Sequence, residues 1–541
     1  MRRRQFLQKS MIAGAGALVA AKAVAGKSME GLPEGGDGVA TGSGVMGVDG
    51  TVGAAAGDAV TGGDGVAGDA LTGGGWAGSG MLDADGFPVV RIPAAQRKFR
   101  SEAVEKIIRE VRENIGNKEL GWLFENCYPN TLDTTVNFEL TGGKPDTYVI
   151  TGDIDAMWLR DSSAQVWPYL SLCKQDKDLQ QLIKGVIHRQ VICILRDPYA
   201  NAFYKDPNKI SEWKATDVTD MKSGIHERKW EIDSLCYPIR LAHGYWETTG
   251  DASPFDADWL MAMGKVLQTF KEQQRKDGHG PYTFQRKSQF ATDSVPMKGY
   301  GYPTKKVGLI HSMFRASDDA TIFPFLIPDN LFALSSLRNL RTMLQALSIG
   351  KELDGPAFAL ETDLVNALNE HAIVTHPVYG EVFVYEADGF GNHTLMDDAN
   401  VPSLLALPYV QSKLFTGDLS VLNADKRGYT VYQNTRRMLW SETNPFFFKG
   451  SAGEGIGGPH VGVDMIWPLS IIIRGLTSHD SQEVAACLKQ LQHSHAGTGF
   501  MHESFHKDDV SNYTRKWFAW ANTLFGEFVL KTYRENPAAL S

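Results

Sequence analysis

Amphipathic runs with helical spacing recur along most of the chain, and they limit its possible folds more than any other sequence feature. The first run follows a candidate N-cap at Ser101 and stops at Gly116. Further runs lie near residues 179–194, 234–247, 254–274, 329–349, 357–371, 401–414, 419–439, 463–474, 481–492 and 513–533. Long polar loops separate them, and short strands such as Phe87–Ile92 and the pair within Gly380–Tyr385 lie in these loops. The sequence shows neither strand–helix alternation nor a GxGxxG motif, so we predict an all-α toroid of alternating inner and outer helices, with short β decorations on one face.

Composition narrows the class of partner. The 541 residues carry a formal net charge of −9, which disfavours nucleic acid and anionic membranes as binding partners. Hydrophobic residues form 43% of the chain, enough for a large core, and its 12 tryptophans slightly favour a carbohydrate-binding surface. The five cysteines are scattered without CxxC spacing, so they predict neither a disulfide framework nor a zinc cluster.

The N-terminus resembles an export signal. The segment Arg3–Lys9 fits the twin-arginine pattern, an apolar segment at Met11–Ala21 follows, and Ala23–Ala25 is a small-residue cleavage site. We therefore predict a signal peptide over residues 1–25 and a periplasmic protein without membrane insertion after cleavage; a plain secretory signal is the alternative. Residues 26–84 are rich in glycine and other small residues, which predicts a flexible spacer outside the fold.

One stretch, YVITGDIDAMWLRDSSAQV, concentrates charge around aromatic side chains. Its candidate site residues are Asp155, Trp158, Arg160 and Asp161. Carboxylates and a guanidinium can hydrogen-bond to the hydroxyls of a polyhydroxylated ligand. An indole can pack against the C–H groups of the same ligand. An equally good interpretation is a turn whose Asp–Arg pairs hold two helices together. Ser162–Ser163 are candidate caps of the helix that follows.

Asp233, in WEIDSLCYP, lies where a helix is predicted to start. The simplest interpretation is that it caps this helix. The alternative is a general acid at the mouth of the helix, since partial burial and nearby carboxylates raise the pKa of such a group. On this motif alone, capping is the stronger interpretation.

Two Asp-Asp pairs, in FRASDDA and MDDANVP, precede apolar helices. One carboxylate of each pair can cap its helix, but the second favours binding of vicinal hydroxyls. The candidate residues in these motifs are Arg315, Asp318, Asp319, Asp397, Asp398 and Asn400.

Two later stretches carry histidines. The Gly-rich loop 449–462 lacks the ending of a phosphate-binding loop, so it either presents His460 to a ligand or acts as a flexible lid. His502-Glu503-Ser-Phe-His506 matches the zinc-peptidase pattern HExxH, which requires both histidines on one face of a helix. Glycines before this pattern and Lys-Asp-Asp after it favour a loop instead. We therefore interpret Glu503 as a carboxylate that is oriented by His502 and faces Asp233.

Six motifs taken together resemble one enzyme family. They are TGDIDAMWLRDSSAQVWPY, WEIDSLCYPI, FRASDDA, MDDANVPSLLALPY, GPHVGVDMIWPLS and GFMHESF. In this order they resemble glycoside hydrolase family 125, the exo-acting α-mannosidases, and the similarity runs from about Phe99 to about Tyr533. The resemblance implies an (α/α)6 barrel over residues 85–541, removal of a terminal α-1,6-linked mannose with inversion, and no metal or other cofactor.

The resemblance also assigns residues. Asp233 matches the general acid and Glu503 the general base of an inverting glycosidase. The remaining candidates would line the subsite for the terminal mannose of an N-glycan or mannan fragment: Asp155, Trp158, Arg160, Asp161, Arg315, Asp318, Asp319, Asp397, Asp398, Asn400, His460 and His502. Three alternatives are a toroid glycosidase acting on α-glucosides, a zinc peptidase built on His502 and His506, and a glycan-binding protein without catalysis.

Overall fold

The computed structural model describes residues 80–410 and 427–541, and helices form most of their regular structure. These described residues belong to one unit that spans Leu71–Ser541. The predicted signal peptide, most of the predicted spacer and parts of the runs at 401–414 and 419–439 lie outside the described residues. The helices are α1 (Glu102–Asn114), α2 (Lys118–Cys127), α3 (Asn130–Thr134), α4 (Leu159–Val166), α5 (Lys177–Arg196), α6 (Asp233–Thr249), α7 (Ala257–Gln273), α8 (Ile327–Leu347), α9 (Lys351–His371), α10 (Leu407–Val410), α11 (Arg427–Leu439), α12 (Pro468–Leu476), α13 (Ser481–Ser494) and α14 (Ala519–Glu535).

Apolar spacing located most of these helices, while local polar contacts shifted some boundaries. Ser101 caps α1 as predicted, because its hydroxyl accepts a hydrogen bond from the backbone N–H of Val104. The prediction for Ser162–Ser163 is wrong. Helix α4 already begins at Leu159, and both serine hydroxyls donate to the Leu159 carbonyl oxygen inside it.

Helices that alternate along the chain pack against one another. Helix α4 contacts α6, α6 contacts α8, and α8 contacts α10. Further along the chain α12 contacts α14, and α14 returns to α4. The intervening helices pack against members of this series: α5 against α6, α9 against α8, α13 against α12, and α2 against α14. Buried apolar side chains form one large cluster between these helices.

Short antiparallel strands lie mainly in the loops that lead into the alternating helices. The strands are β1 (Val136–Thr141), β2 (Lys144–Val149), β3 (Met157–Trp158), β4 (Ala202–Phe203), β5 (Asp217–Val218), β6 (Ile225–Glu227), β7 (Gln285–Arg286), β8 (Phe325–Leu326), β9 (Ile373–His376), β10 (Gly380–Phe383), β11 (Glu386–Ala387), β12 (His393–Thr394), β13 (Phe447–Lys449), β14 (Glu454–Ile456), β15 (Met465–Ile466), β16 (Ser504–His506) and β17 (Asp509–Thr514). Three-stranded sheets form from β3–β4–β6, β8–β11–β12 and β15–β16–β17. Because β3, β8 and β15 run directly into α4, α8 and α12, the sheets lie at the N-terminal ends of those helices.

The strands confirm one prediction and correct two. A strand within Gly380–Tyr385 is confirmed as β10, and its partner β9 lies upstream of the predicted range. The helix predicted from residue 513 starts only at Ala519, because Tyr513 pairs with Phe505 between β17 and β16. The strand predicted at Phe87–Ile92 is reduced to an isolated bridge between Leu82 and Pro88.

The five cysteines are buried and their thiols are free, which agrees with their scattered spacing. In the part of the chain that the structure describes, the helices are too short or too polar to cross a bilayer.

Candidate active site

The candidate side chains converge where the alternating helices begin. Arg160 and Asp161 lie in the first turn of α4, Asp233 is the first residue of α6, and Asp329 lies in the first turn of α8. The N-terminus of a helix carries partial positive charge from its unpaired N–H groups, and this charge stabilises carboxylates placed there. The fold thus gathers acidic side chains at one set of helix ends.

Arg160 is the central cation of this site, and it is buried. Its Nη1 donates hydrogen bonds to Glu231 Oε2 at 2.7 Å and to Asp233 Oδ2 at 3.1 Å. Its Nη2 donates to Asp318 Oδ1 at 3.1 Å, and its Nε lies 3.6 Å from Asp161 Oδ2. One guanidinium therefore holds four carboxyl groups in fixed relative positions, and three of the four were predicted from the sequence.

These carboxyl groups differ in protonation because their surroundings differ. Burial raises the pKa of Asp233 and outweighs the charge of Arg160, which lowers it. Burial also raises the pKa of Glu231 well above its usual value and that of Asp161 to about 6. Around Asp318, the charges of Arg160 and Lys229 outweigh burial and hold the pKa of its carboxyl well below the usual range. Burial thus raises the pKa of three carboxyl groups around Arg160, while neighbouring cations lower that of the fourth, Asp318.

Asp233 keeps one carboxyl oxygen free. Its Oδ2 accepts the hydrogen bond from Arg160, whereas its Oδ1 is buried without a hydrogen-bond partner. A buried polar atom without a partner is costly, so Oδ1 is the oxygen of Asp233 that the protein itself leaves unsatisfied. The capping interpretation is wrong, because Ile232 occupies the N-cap position of α6.

Glu503 is buried immediately before β16, next to donors at the end of the neighbouring strand β17. Its Oε2 accepts a hydrogen bond from Thr514 Oγ1 at 2.9 Å, and Arg515 Nη1 lies 3.5 Å from its Oε1. Arg515 is itself held by Asp153 Oδ1, 2.9 Å from its Nε. These contacts assign the orientation of Glu503 to Thr514 and Arg515 rather than to His502, since successive side chains in extended backbone point to opposite sides.

Asp161 connects the two ends of the site. Its carboxyl lies next to Arg160, and the charges of both Arg515 and Asp233 act on its pKa. Arg515 in turn contacts Glu503. The helix ends that carry Asp233 and the strand that carries Glu503 therefore belong to one charged network.

His460 adds a second positive charge beside this network. Its Nδ1 lies 3.9 Å from Asp319 Oδ1. Burial would lower the pKa of His460, but the nearby carboxylates of Asp319, Glu503 and Asp318 raise it to about 9. The ring is therefore an imidazolium at neutral pH, within electrostatic range of Glu503.

His502 takes part in packing. Its ring stacks on Tyr513, with 3.7 Å between the ring centroids, and burial lowers its pKa to about 4. His506 belongs to strand β16, so the two histidines of the HExxH pattern do not occupy one turn of a helix. The zinc-peptidase alternative is therefore wrong, because its chemistry requires that helical placement.

Arg315 organises a second polar cluster. Its Nε donates to Glu386 Oε1 at 2.7 Å, and its Nη1 lies 3.7 Å from Asp398 Oδ2. The hydroxyl of Ser317 also donates to Asp398 Oδ2, at 2.8 Å. Asp398 Oδ1 and Asp319 Oδ2 are buried without a hydrogen-bond partner, which leaves both oxygens available as acceptors.

Asp397 and Asn400, from the same motif, differ in role. The carboxyl oxygens of Asp397 accept hydrogen bonds from the backbone N–H groups of Leu404 and Leu405, at 3.3 Å and 3.0 Å. Burial raises the pKa of Asp397 to about 8. Asp397 therefore has a structural role, as an acceptor for backbone amides, which is one of the two roles that the sequence allowed for the Asp-Asp pair. The Nδ2 of Asn400, by contrast, is buried without a partner.

Trp158 and Asp155 are three residues apart in the sequence but lie in different environments. Trp158 is buried at the N-cap of α4, and its indole Nε1 has no hydrogen-bond partner, so it is available as a donor. The Asp155 side chain is 75% exposed and lies 3.8 Å from Lys209 Nζ. The structure does not bring Asp155 into the charged network.

Sequence reasoning missed several members of the site: Glu231, Asp329, Thr514 and Arg515. Glu231 lies two residues before Asp233 in the motif WEIDSLCYP, and this closeness to Asp233 could have identified it as a site residue. Asp329 resembles any acidic residue in the first turn of a helix. The contact of Thr514 with Glu503 depends on the register of β16 and β17, which the local sequence does not show.

Within the two described ranges, no group of three or more His, Cys, Asp and Glu side chains is arranged to hold a metal ion. The site as described consists of carboxyl groups, cations and unpartnered polar atoms.

Comparison with known proteins gives consistent results. Residues 117–530 match the family model described as metal-independent alpha-mannosidase, GH125. The meiotically up-regulated gene 157 protein of Schizosaccharomyces pombe is 39% identical over 470 residues, which cover 84% of this chain and 90% of that protein. A solved Streptococcus pneumoniae structure, described as a metal-independent alpha mannosidase in a non-productive complex with alpha-1,6-mannobiose, is 38% identical, with a TM-score of 0.74. The match covers 81% of this chain and 100% of that one.

Proposed function

This chain belongs to the GH125 family of metal-independent α-mannosidases, and on that basis we propose that it releases terminal α-1,6-linked mannose from oligosaccharides with inversion of configuration. One observation carries the proposal: Asp233, with its raised pKa and free Oδ1, shares a charged network with the anchored carboxylate of Glu503. An inverting glycosidase needs such a pair, one carboxyl protonated and one ionised. The α-1,6-mannobiose held by the similar Streptococcus pneumoniae structure supports the choice of linkage.

Asp233 acts as the general acid. Its Oδ1 has no hydrogen-bond partner in the protein, so a proton on this oxygen can pass to the glycosidic oxygen as the bond to the anomeric carbon breaks. Arg160 holds Oδ2 and thereby fixes the direction of Oδ1. Burial raises the pKa of this carboxyl, which favours the protonated form that an acid catalyst requires.

Glu503 acts as the general base. Its carboxylate accepts a proton from a water molecule, and that water forms the new bond to the anomeric carbon on the face opposite the leaving oxygen. Thr514 and Arg515 contact the carboxylate as donors, which holds it in one orientation without competing for the proton. The product is mannose in the β configuration.

The terminal mannose is recognised by polar atoms that the protein leaves unpaired. Asp319 Oδ2 and Asp398 Oδ1 are buried acceptors, while Trp158 Nε1 and Asn400 Nδ2 are buried donors. A sugar hydroxyl can both donate and accept, so these atoms can be satisfied by the hydroxyls of one ring, including the axial 2-hydroxyl that distinguishes mannose from glucose. His460, as an imidazolium, supplies a further donor near Asp319.

The helix contacts support an (α/α)6 barrel as the architecture. Helices α4, α6, α8, α10, α12 and α14 would form the inner layer, with the contact of α14 and α4 closing the series. The site then lies at the end of the barrel where the inner helices begin, beneath the short sheets.

Hydrolysis of α-1,6-mannobiose, followed by proton NMR with and without EDTA, tests this function. We expect β-mannose to appear first and the rate to be unchanged by EDTA, since Asp233 and Glu503 carry the chemistry without a metal. The matched control is isomaltose, the α-1,6-linked glucose disaccharide, which should be cleaved at least about 100-fold more slowly because polar groups built for an axial 2-hydroxyl lose their partner.

Each contrary outcome identifies an alternative. First appearance of α-mannose would contradict inversion, and faster cleavage of isomaltose would favour an α-glucoside-acting toroid enzyme. Binding of mannobiose without cleavage would favour the non-catalytic interpretation.

The twin-arginine pattern at Arg3–Lys9 supports a second proposal, export to the periplasm. We expect the full-length protein to be recovered in the periplasmic fraction, shortened at about Ala25, and the double substitution Arg3→Lys and Arg4→Lys to retain it in the cytoplasm. Unchanged export of that variant would favour the plain secretory signal.

A further inference from the structure

We propose that Asp329 is a positioning residue for the general acid, because it fixes Asp233 by capping the first backbone N–H of α6 from the neighbouring helix α8. This inference rests on the function proposed above, since Asp329 would act only through Asp233. Asp329 belongs to none of the motifs from which the active site was predicted.

Helix α6 has no cap of its own. Its N-cap residue is Ile232, whose side chain offers no acceptor to the first turn. The backbone N–H of Asp233 donates instead to Asp329 Oδ2, at 3.3 Å. Helices α6 and α8 pack against each other, so this hydrogen bond joins two neighbouring helix ends. The backbone that carries the acid is thereby fixed at its first residue.

The first two residues of α8 need no acceptor from Asp329. The N–H of Ile327, the first residue of α8, donates to the Tyr385 carbonyl oxygen at 2.8 Å, and Pro328 has no N–H. An acidic residue in the third helical position commonly reaches back to its own N-cap. Here the carboxyl reaches across to α6 instead.

The surroundings of Asp329 favour a neutral acceptor. Its side chain is fully buried; burial, and then the charge of Asp233, raise its pKa well above the usual value. The other charged groups that act on it are Arg160, from α4, and Asp398, from the loop before α10. A neutral carboxyl accepts the Asp233 N–H without placing a second full charge beside the acid. An asparagine side chain has the same shape and the same acceptor oxygen.

The test compares two substrates that differ in their need for acid catalysis. Cleavage of α-1,6-mannobiose requires a proton on the leaving oxygen, whereas 2,4-dinitrophenyl α-mannoside releases a stable phenolate without one. We expect Asp329→Ala to lower kcat on mannobiose about 100-fold, at the lower end of the contribution of general acid catalysis, with KM changed less than about 3-fold. On the dinitrophenyl substrate we expect a loss below about 5-fold, and we expect Asp329→Asn to restore mannobiose cleavage to within about 5-fold of wild type.

The matched control is Asp256→Ala, which removes the side-chain cap of α7 at a helix that the site does not use. We expect this variant to lose thermal stability without changing the ratio of the two rates. If Asp329→Ala does not fold, Asp329→Ser takes its place, because its shorter side chain falls short of the Asp233 N–H.

Equal losses on both substrates, or failure of Asp329→Asn to restore mannobiose cleavage, would overturn the positioning role. Failure of the wild type itself to cleave either substrate would instead overturn the proposed function, so the two failures are distinguishable.

Discussion

Glu503→Gln is expected to lower kcat on α-1,6-mannobiose by about 10⁴-fold, the upper range for loss of a general base. A glutamine amide cannot take a proton from the attacking water, and its shape preserves the hydrogen bond from Thr514 Oγ1. The KM for mannobiose should change little, because the proposed contacts to the sugar come from other side chains. The measurement is steady-state release of mannose by the wild type and the variant at equal concentration.

Two controls make this result specific to the base. Glu535→Gln removes a carboxylate whose side chain is 64% exposed at the C-terminal end of α14, and its activity should equal that of the wild type. Glu503→Ala with added azide should form β-mannosyl azide, since azide attacks the anomeric carbon without a base. Retention of more than about a tenth of wild-type kcat by Glu503→Gln would show that another group activates the water.

The helices were predictable where burial is periodic and local. The helical spacing of apolar residues before Asp197 predicted α5. Such a pattern is readable locally, because it marks one buried face of the helix whatever element packs against that face. The start of α14 was misplaced by six residues, since Tyr513 is apolar enough to extend a helical pattern but pairs with Phe505 in a strand. Strand pairing of this kind depends on a partner that the local sequence does not identify.

The site was predictable only in part, and one motif shows why. Asp155 and Asp161 looked equivalent in the sequence, yet the Asp155 side chain is exposed beside Lys209 while Asp161 is buried beside Arg160. The difference arises because α4 begins between them, at Leu159, and turns the later residue toward the other helix ends. A short motif gives the chemistry of its residues, but the path of the chain decides which of them meet.

Groups whose role depends on a distant partner were beyond sequence reasoning. Asp329 is an ordinary first-turn acid until α6 and α8 are brought together, and Arg515 is an ordinary surface cation until β17 pairs with β16. The resemblance of motifs assigned Asp233 and Glu503, whereas the contacts that Asp329, Thr514 and Arg515 make with them emerged only from the packing.

Asp233→Asn is expected to lower kcat on mannobiose about 10³-fold while lowering kcat on 2,4-dinitrophenyl α-mannoside less than about 10-fold. The asparagine oxygen still accepts the hydrogen bond from Arg160 Nη1, so the site should remain assembled. What the variant lacks is the proton, which the disaccharide requires and the dinitrophenyl substrate does not.

The pH dependence of the same variant provides an independent check on the acid. In the wild type, activity should be present while Asp233 is protonated and should fall as pH rises through the pKa of its carboxyl, which burial raises above the usual value. Asp233→Asn removes the titrating group, so the fall at high pH that the wild type shows on mannobiose should disappear from the residual activity of the variant on mannobiose. A fall at high pH that persists unchanged, or an equal loss of kcat on the two substrates, would assign the proton to another of the carboxyl groups around Arg160. Glu231 would then be the first candidate, because it shares Arg160 Nη1 with Asp233 and its pKa is also raised by burial.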